Sequence, residues 1–133
     1  MRFCLTTLLF TNILFAISNE AKIIKLIFTS LFDRDVIVYS DSEKKLSVLE
    51  EADLNIVKSC KRADIAYISK VLKECEGKPI FSDNYNTFQK EKSVIGAFYW
   101  HKGRPNILFF KPRLEDFELK LPKKLEKYEV DEL

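Results

Sequence analysis

The sequence predicts an α/β domain: one mainly parallel sheet flanked by helices, made mixed at its C-terminal end by a β-hairpin. Two observations carry that expectation. After the first twenty residues, short β-branched runs alternate with segments of helical spacing, which is the pattern of crossover units. From Val94 the pattern changes, and the apolar runs Val94 to Trp100 and Ile107 to Phe110 flank His101-Lys102-Gly103-Arg104-Pro105, where Gly103 can supply the positive φ of a turn.

The elements follow in order. Ala21 to Phe32 places Ile23, Ile24, Ile27, Phe28 and Leu31 at the three-and-four spacing of an amphipathic helix, which Asp33-Arg34-Asp35 breaks. Val36 to Tyr39 is a β-branched run of the kind that forms a buried strand. Ser40-Asp41-Ser42 can cap a helix carrying Leu46, Val48 and Leu49 and ending at Glu50-Glu51. Asn55 to Lys58 and Ala63 to Ser69 read as further strands, and Val71 to Glu76 as a helical turn stopped by Gly77. Pro79 to Ser82 is a fourth strand, followed by a short helix over Tyr85 to Lys90 behind Asp83-Asn84. Past the hairpin, Lys111 to Phe117 and Pro122 to Tyr128 read as helical pieces that pack Leu114, Phe117, Leu119, Leu121 and Leu125 onto the sheet, with a frayed tail after Tyr128.

Length and composition bound the function. A chain of 133 residues with 47% hydrophobic content suffices for one packed core. The balance of 22 Lys plus Arg against 20 Asp plus Glu creates no strong field of either sign, which argues against a nucleic-acid binder. Met1-Arg2 followed by the uncharged run Phe3 to Ile17 reads as a signal peptide, 1–18, with Ala16 and Ser18 in the relation that a signal peptidase reads. The run is shorter than the roughly 20 apolar residues of a membrane span. The expectation is therefore a periplasmic protein whose single α/β domain covers 19–133, with a cut one or two residues away as the variant.

In an oxidising compartment Cys60 and Cys75 are candidates for a disulfide, which would close a loop of about 15 residues and contribute roughly 3 kcal/mol. Two separate buried thiols are the other reading. No metal site is expected, because His101 is the only histidine and no close-spaced Cys or His pair anchors one. No catalytic residues are expected either: the sequence has no GxSxG elbow, no phosphate-cradling glycine loop and no HExxH. No cofactor is implied.

The stretch Ile95 to Asn106 is the most informative for function, since it combines bulky aromatics, a turn and a guanidinium. On strand alternation Phe98 and Trp100 face one side and Tyr99 the other, so all three cannot be core. Phe98, Tyr99, Trp100, His101 and Arg104 are the candidate partner-binding residues, because Trp, Tyr and Arg are enriched at interface hot spots. A hairpin whose aromatics pack under neighbouring helices is the structural alternative.

Ala63 to Ser69, Gly77-Lys78-Pro79-Ile80, Ile95 to Phe98, Gly103-Arg104, Asn106-Ile107, Leu114, Leu119 and Leu121 together resemble the YfiR-like family of periplasmic regulators, over roughly Lys22 to Tyr128. The chain departs from that family in its small size, in a first helix without the aromatic-Trp-Pro ending, and in its cysteine positions. The resemblance implies a Rossmann-like α/β fold, a tendency to dimerise, and repression of a membrane diguanylate cyclase, in cyclic-di-GMP signalling, by binding its periplasmic part. The expected function is thus an exported regulator of a membrane-bound signalling protein; the alternative is a periplasmic small-ligand-binding protein.

Overall fold

A computed structural model describes residues 18–32 and 34–133. All but the last residue of the expected signal peptide lies outside the described residues. Helix α1 (Asn19–Leu31) leads into β1 (Ile37–Tyr39), α2 (Glu43–Glu51) and β2 (Asn55–Val57). β3 (Ile65–Tyr67), β4 (Ile80–Ser82), α3 (Tyr85–Lys90), the hairpin β5 (Val94–His101) and β6 (Arg104–Phe110), and α4 (Lys111–Asp116) follow. Three 3-10 turns, Cys60–Arg62, Lys73–Cys75 and Lys123–Tyr128, and a final strand β7 (Glu129–Val130) complete the chain.

The strands form one seven-stranded sheet in the order β2-β1-β3-β4-β5-β6-β7. β1 to β5 are all parallel, β6 is antiparallel to β5, and β7 is parallel to β6. This is a single α/β domain with a Rossmann-like mixed sheet. The tail expected to fray instead adds β7 to the sheet, because β6 would otherwise present unpaired edge groups that Glu129 and Val130 satisfy beside Phe109 and Phe110.

α1 forms as its spacing requires, with Ala21, Ile24, Ile27, Phe28 and Leu31 buried on one face. Ser18 caps it, accepting from the Ala21 N–H, and its own hydroxyl donates to Glu51 at 2.9 Å. α1, α2 and the C-terminal segment cover one sheet face, where Phe28, Tyr67, Phe81 and Phe109 make a chain of ring contacts. Gly96 belongs to that face: it pairs with both Phe81 and Phe109, and a Cβ there would lie 2.6 Å from the Phe109 ring.

The other face is thinner. The connections from β2 to β3 and from β3 to β4 hold only 3-10 turns in place of covering helices. Cys60 and Cys75 lie one in each turn, their sulfurs joined 2.10 Å apart and their Cα atoms 5.2 Å apart, beneath Ile68, Phe88 and Val94. Arg113 closes this side. Its buried guanidinium donates to the carbonyls of Phe88, Gln89 and Val94, so α4 fixes the end of α3 against β5. Burial lowers the Arg113 pKa from its ordinary value, and the three carbonyls supply the acceptors that the buried cation needs.

The hairpin turn is tighter than the five-residue one expected. Only Lys102 and Gly103 stand in the turn, with φ of 51° and 77°, while His101 and Arg104 are the last cross-strand pair. Two positive φ values match the right-handed twist of the strands, so the ladder runs further toward the tip than composition alone indicates.

Candidate binding crevice at the carboxyl ends of the strands

In an open α/β sheet, ligands bind outside the carboxyl ends of the strands, near the point where strand order reverses. Here that point lies between β1 and β3. Three chain segments leave the sheet there: Ser40 to Ser42 after β1, Ile68 to Lys70 after β3, and Asp83-Asn84 after β4. Ser42 and Asn84 cap α2 and α3, as their side-chain oxygens accept from Lys45 N–H and Thr87 N–H.

A polar cluster joins these segments. Lys45, in the first turn of α2 and only 8% exposed, donates through Nζ to Ser69 Oγ at 2.8 Å and to Asp83 Oδ2 at 2.9 Å. Ser69 Oγ donates to Asp83 Oδ1 at 2.6 Å, and the buried Ser82 hydroxyl donates to the Ser69 carbonyl. Lys45 also sits 5.7 Å from the centroid of the Tyr67 ring, whose hydroxyl donates to Glu20 at 2.9 Å. Burial, with Glu20 beside it, pushes the Tyr67 pKa far above the ordinary tyrosine value. Lys45 is a donor in both of its polar contacts, and the Ser69 proton points at a carboxylate. The cluster therefore ties three strand ends together and leaves part of Asp83, 38% exposed in its side chain, facing solvent.

Two clefts adjoin it. The smaller, about 130 Å³, lies among Glu20, Lys44, Lys45, Tyr67, Asp83 and the end of β5. The larger, about 520 Å³, is lined by Asp83, Asn84, Tyr85, Tyr99, Trp100 and His101. Asp83, Tyr99 and Trp100 line both. A cleft of about 440 Å³ elsewhere includes Arg34 in its lining. There Arg34 is engaged by both oxygens of Asp64, and burial opposes the Asp64 charge while Arg34 and the Ile37 N–H outweigh it and hold that carboxyl below its ordinary pKa. Its cation is thus already committed to an internal ion pair.

The hairpin residues divide by strand alternation. Phe98 is 2% exposed and belongs to the core, where it meets the Trp100 indole edge to face with centroids 6.3 Å apart. Tyr99 points to the opposite face, half-buried against Tyr85 with ring centroids 5.0 Å apart. Burial, with Tyr85 nearby, raises its pKa. Trp100 is 61% exposed. The structure brings Tyr99, Trp100 and His101 together beside Asp83, whereas Arg104 stands exposed at the hairpin tip and lines neither cleft.

The comparisons bear on fold. The chain is similar to the crystal structure of a conserved domain protein from Vibrio cholerae O1 biovar eltor, with a TM-score of 0.58 at 9% identity. The match covers 85% of this chain, and the chain spans 60% of the length of that protein. No family model matches, and no curated protein matches. The shared feature is the α/β fold. Among the described residues no group of His, Cys, Asp and Glu is placed to hold a metal ion, and no helix is long and apolar enough to cross a membrane.

Sequence reasoning found the aromatic half of the crevice and missed Lys45, Ser69 and Asp83. The available signal was positional: Ser69 and Asp83 each follow closely on a strand, and Lys45 stands three residues after a capping Ser.

Proposed function

We propose that this chain is an exported binding and regulatory protein that docks a membrane-bound signalling partner through the open end of its sheet, with Trp100 as the anchor. One observation carries the reading. Trp100 is a large aromatic left 61% exposed, braced by Phe98 on a strand of regular pairing, so its ring is held in place before any partner arrives. Rigid aromatic anchors of this kind lose little side-chain entropy on binding and are enriched among hot spots. Arg104 and His101, exposed and paired across the strands beside it, supply a polar rim. The resemblance to YfiR-like regulators supplies the class of partner, the periplasmic part of a membrane diguanylate cyclase.

The test is affinity capture of the C-terminally tagged protein from detergent-solubilised membranes of its host, with Arg104→Glu in parallel. Co-purification of a membrane cyclase or sensor with the wild type, and its release by the charge reversal, supports the reading. Recovery of equal amounts with both proteins removes the hairpin from the interface; recovery of none removes the reading itself. A small-ligand role is favoured by one separate observation, the cleft of about 520 Å³ beside Trp100.

A further inference from the structure

We propose that the cleft between α3 and the end of β5 is a binding site for a small organic cation, a primary or quaternary ammonium. Three aromatic residues from two elements line it: Tyr85 from the first turn of α3, and Tyr99 and Trp100 from β5. Tyr85 is 37% and Trp100 61% exposed, so both keep side-chain area that the core does not use. The Tyr85 and Tyr99 rings meet at 5.0 Å and an interplanar angle of 46°, forming a fixed corner. An aromatic face carries the negative end of a quadrupole, which attracts a cation and repels an anion.

The charged lining points the same way. Among the described residues no Lys or Arg lines this cleft, where Asp83 is the one carboxylate and His101 the one imidazole. Lys45 and Ser69 each take one bond on Asp83, one per oxygen, and a carboxylate oxygen accepts more than one. Lys45 lines the smaller cleft and not this one, so a ligand here meets the carboxylate rather than the ammonium. An anion would meet the Asp83 carboxylate and the aromatic lining together, whereas a cation can add to the acceptors of Asp83, one oxygen of which already pairs with Lys45. A volume of about 520 Å³ falls within the range of small-molecule sites, roughly 300 to 1,000 Å³.

Trp100 is the single tryptophan of the chain, so its fluorescence reports this site directly and needs no partner protein. The inference shares Trp100 with the docking reading and does not rest on it. The experiment titrates the purified protein with choline, and separately with its neutral isostere 3,3-dimethylbutan-1-ol, at matched ionic strength. Choline is expected to change the Trp100 emission saturably, with the isostere binding about tenfold more weakly, the order of a partly desolvated cation–π contact. Tyr85→Leu keeps apolar bulk and the reporter but removes one ring; it is expected to weaken choline by about threefold or more with the melting temperature unchanged. Equal binding of choline and the isostere overturns the proposal, as does the absence of a saturable response to choline in the folded wild type.

Discussion

Reducing the bond between Cys60 and Cys75 removes the cross-link that holds together the thin face of the sheet. Two crossovers on that face contain only single 3-10 turns, and the cross-link joins those turns to each other. The cysteines are separated by 15 positions, which in the chain-entropy treatment corresponds to about 3 kcal/mol of restraint on the unfolded chain. Both side chains are fully buried, so the reduced thiols remain in an apolar setting that asks for no new hydrogen bonds. For a domain near this size each kcal/mol moves the melting temperature by about 4 °C, so the expected fall is on the order of 10 °C. The assay is thermal unfolding by circular dichroism with and without a phosphine reductant, with thiol titration to show that reduction is complete. A midpoint that moves by less than about 2 °C under complete reduction refutes the reasoning, because the turns would then be held by packing alone.

Three further outcomes follow from particular contacts. Gly96→Ala places a Cβ 2.6 Å from the Phe109 ring and 2.8 Å from the Leu108 carbonyl oxygen, so it is expected to cost about 1 to 3 kcal/mol by chemical denaturation; an unchanged midpoint contradicts the packing described. A chain beginning at Ser18 is expected to be more stable than one beginning at Asn19 by about 1 kcal/mol, because only the first keeps the α1 cap and the bond to Glu51; equal melting temperatures would show the cap to be idle. Asp64 titrates below its ordinary value in the folded protein, so its stabilisation is present above about pH 4 and is lost as the pH falls through the folded value; the stability gap between wild type and Arg34→Ala should narrow over that acid range, and a gap independent of pH is the contrary result.

Much of the fold was legible because the chain writes it locally. The apolar spacing of α1, the β-branched run at β1, the caps Ser42 and Asn84, and the split of Phe98 and Trp100 from Tyr99 are each decided within a few residues, and each appears in the structure. β7 was not legible, since Glu129-Val130 is too short to show a period and forms only because β6 offers an edge. The same holds for the crevice. Lys45 lies 24 positions from Ser69, and Ser69 14 from Asp83, so nothing local pairs them; the strand order that places β1, β3 and β4 side by side does. The aromatic residues were conspicuous on their own, whereas the polar cluster existed only once the sheet was assembled.

Trp100 as a docking anchor is tested most directly by the affinity of wild type and Trp100→Ala for the membrane protein captured from the host. The side chain is largely exposed in the free protein, so its removal should leave the fold intact, a condition checked by the melting temperature. A loss of roughly thirtyfold or more, the ~2 kcal/mol of a hot-spot residue, is the predicted result. Equal affinities for the two proteins would place the interface elsewhere on the surface.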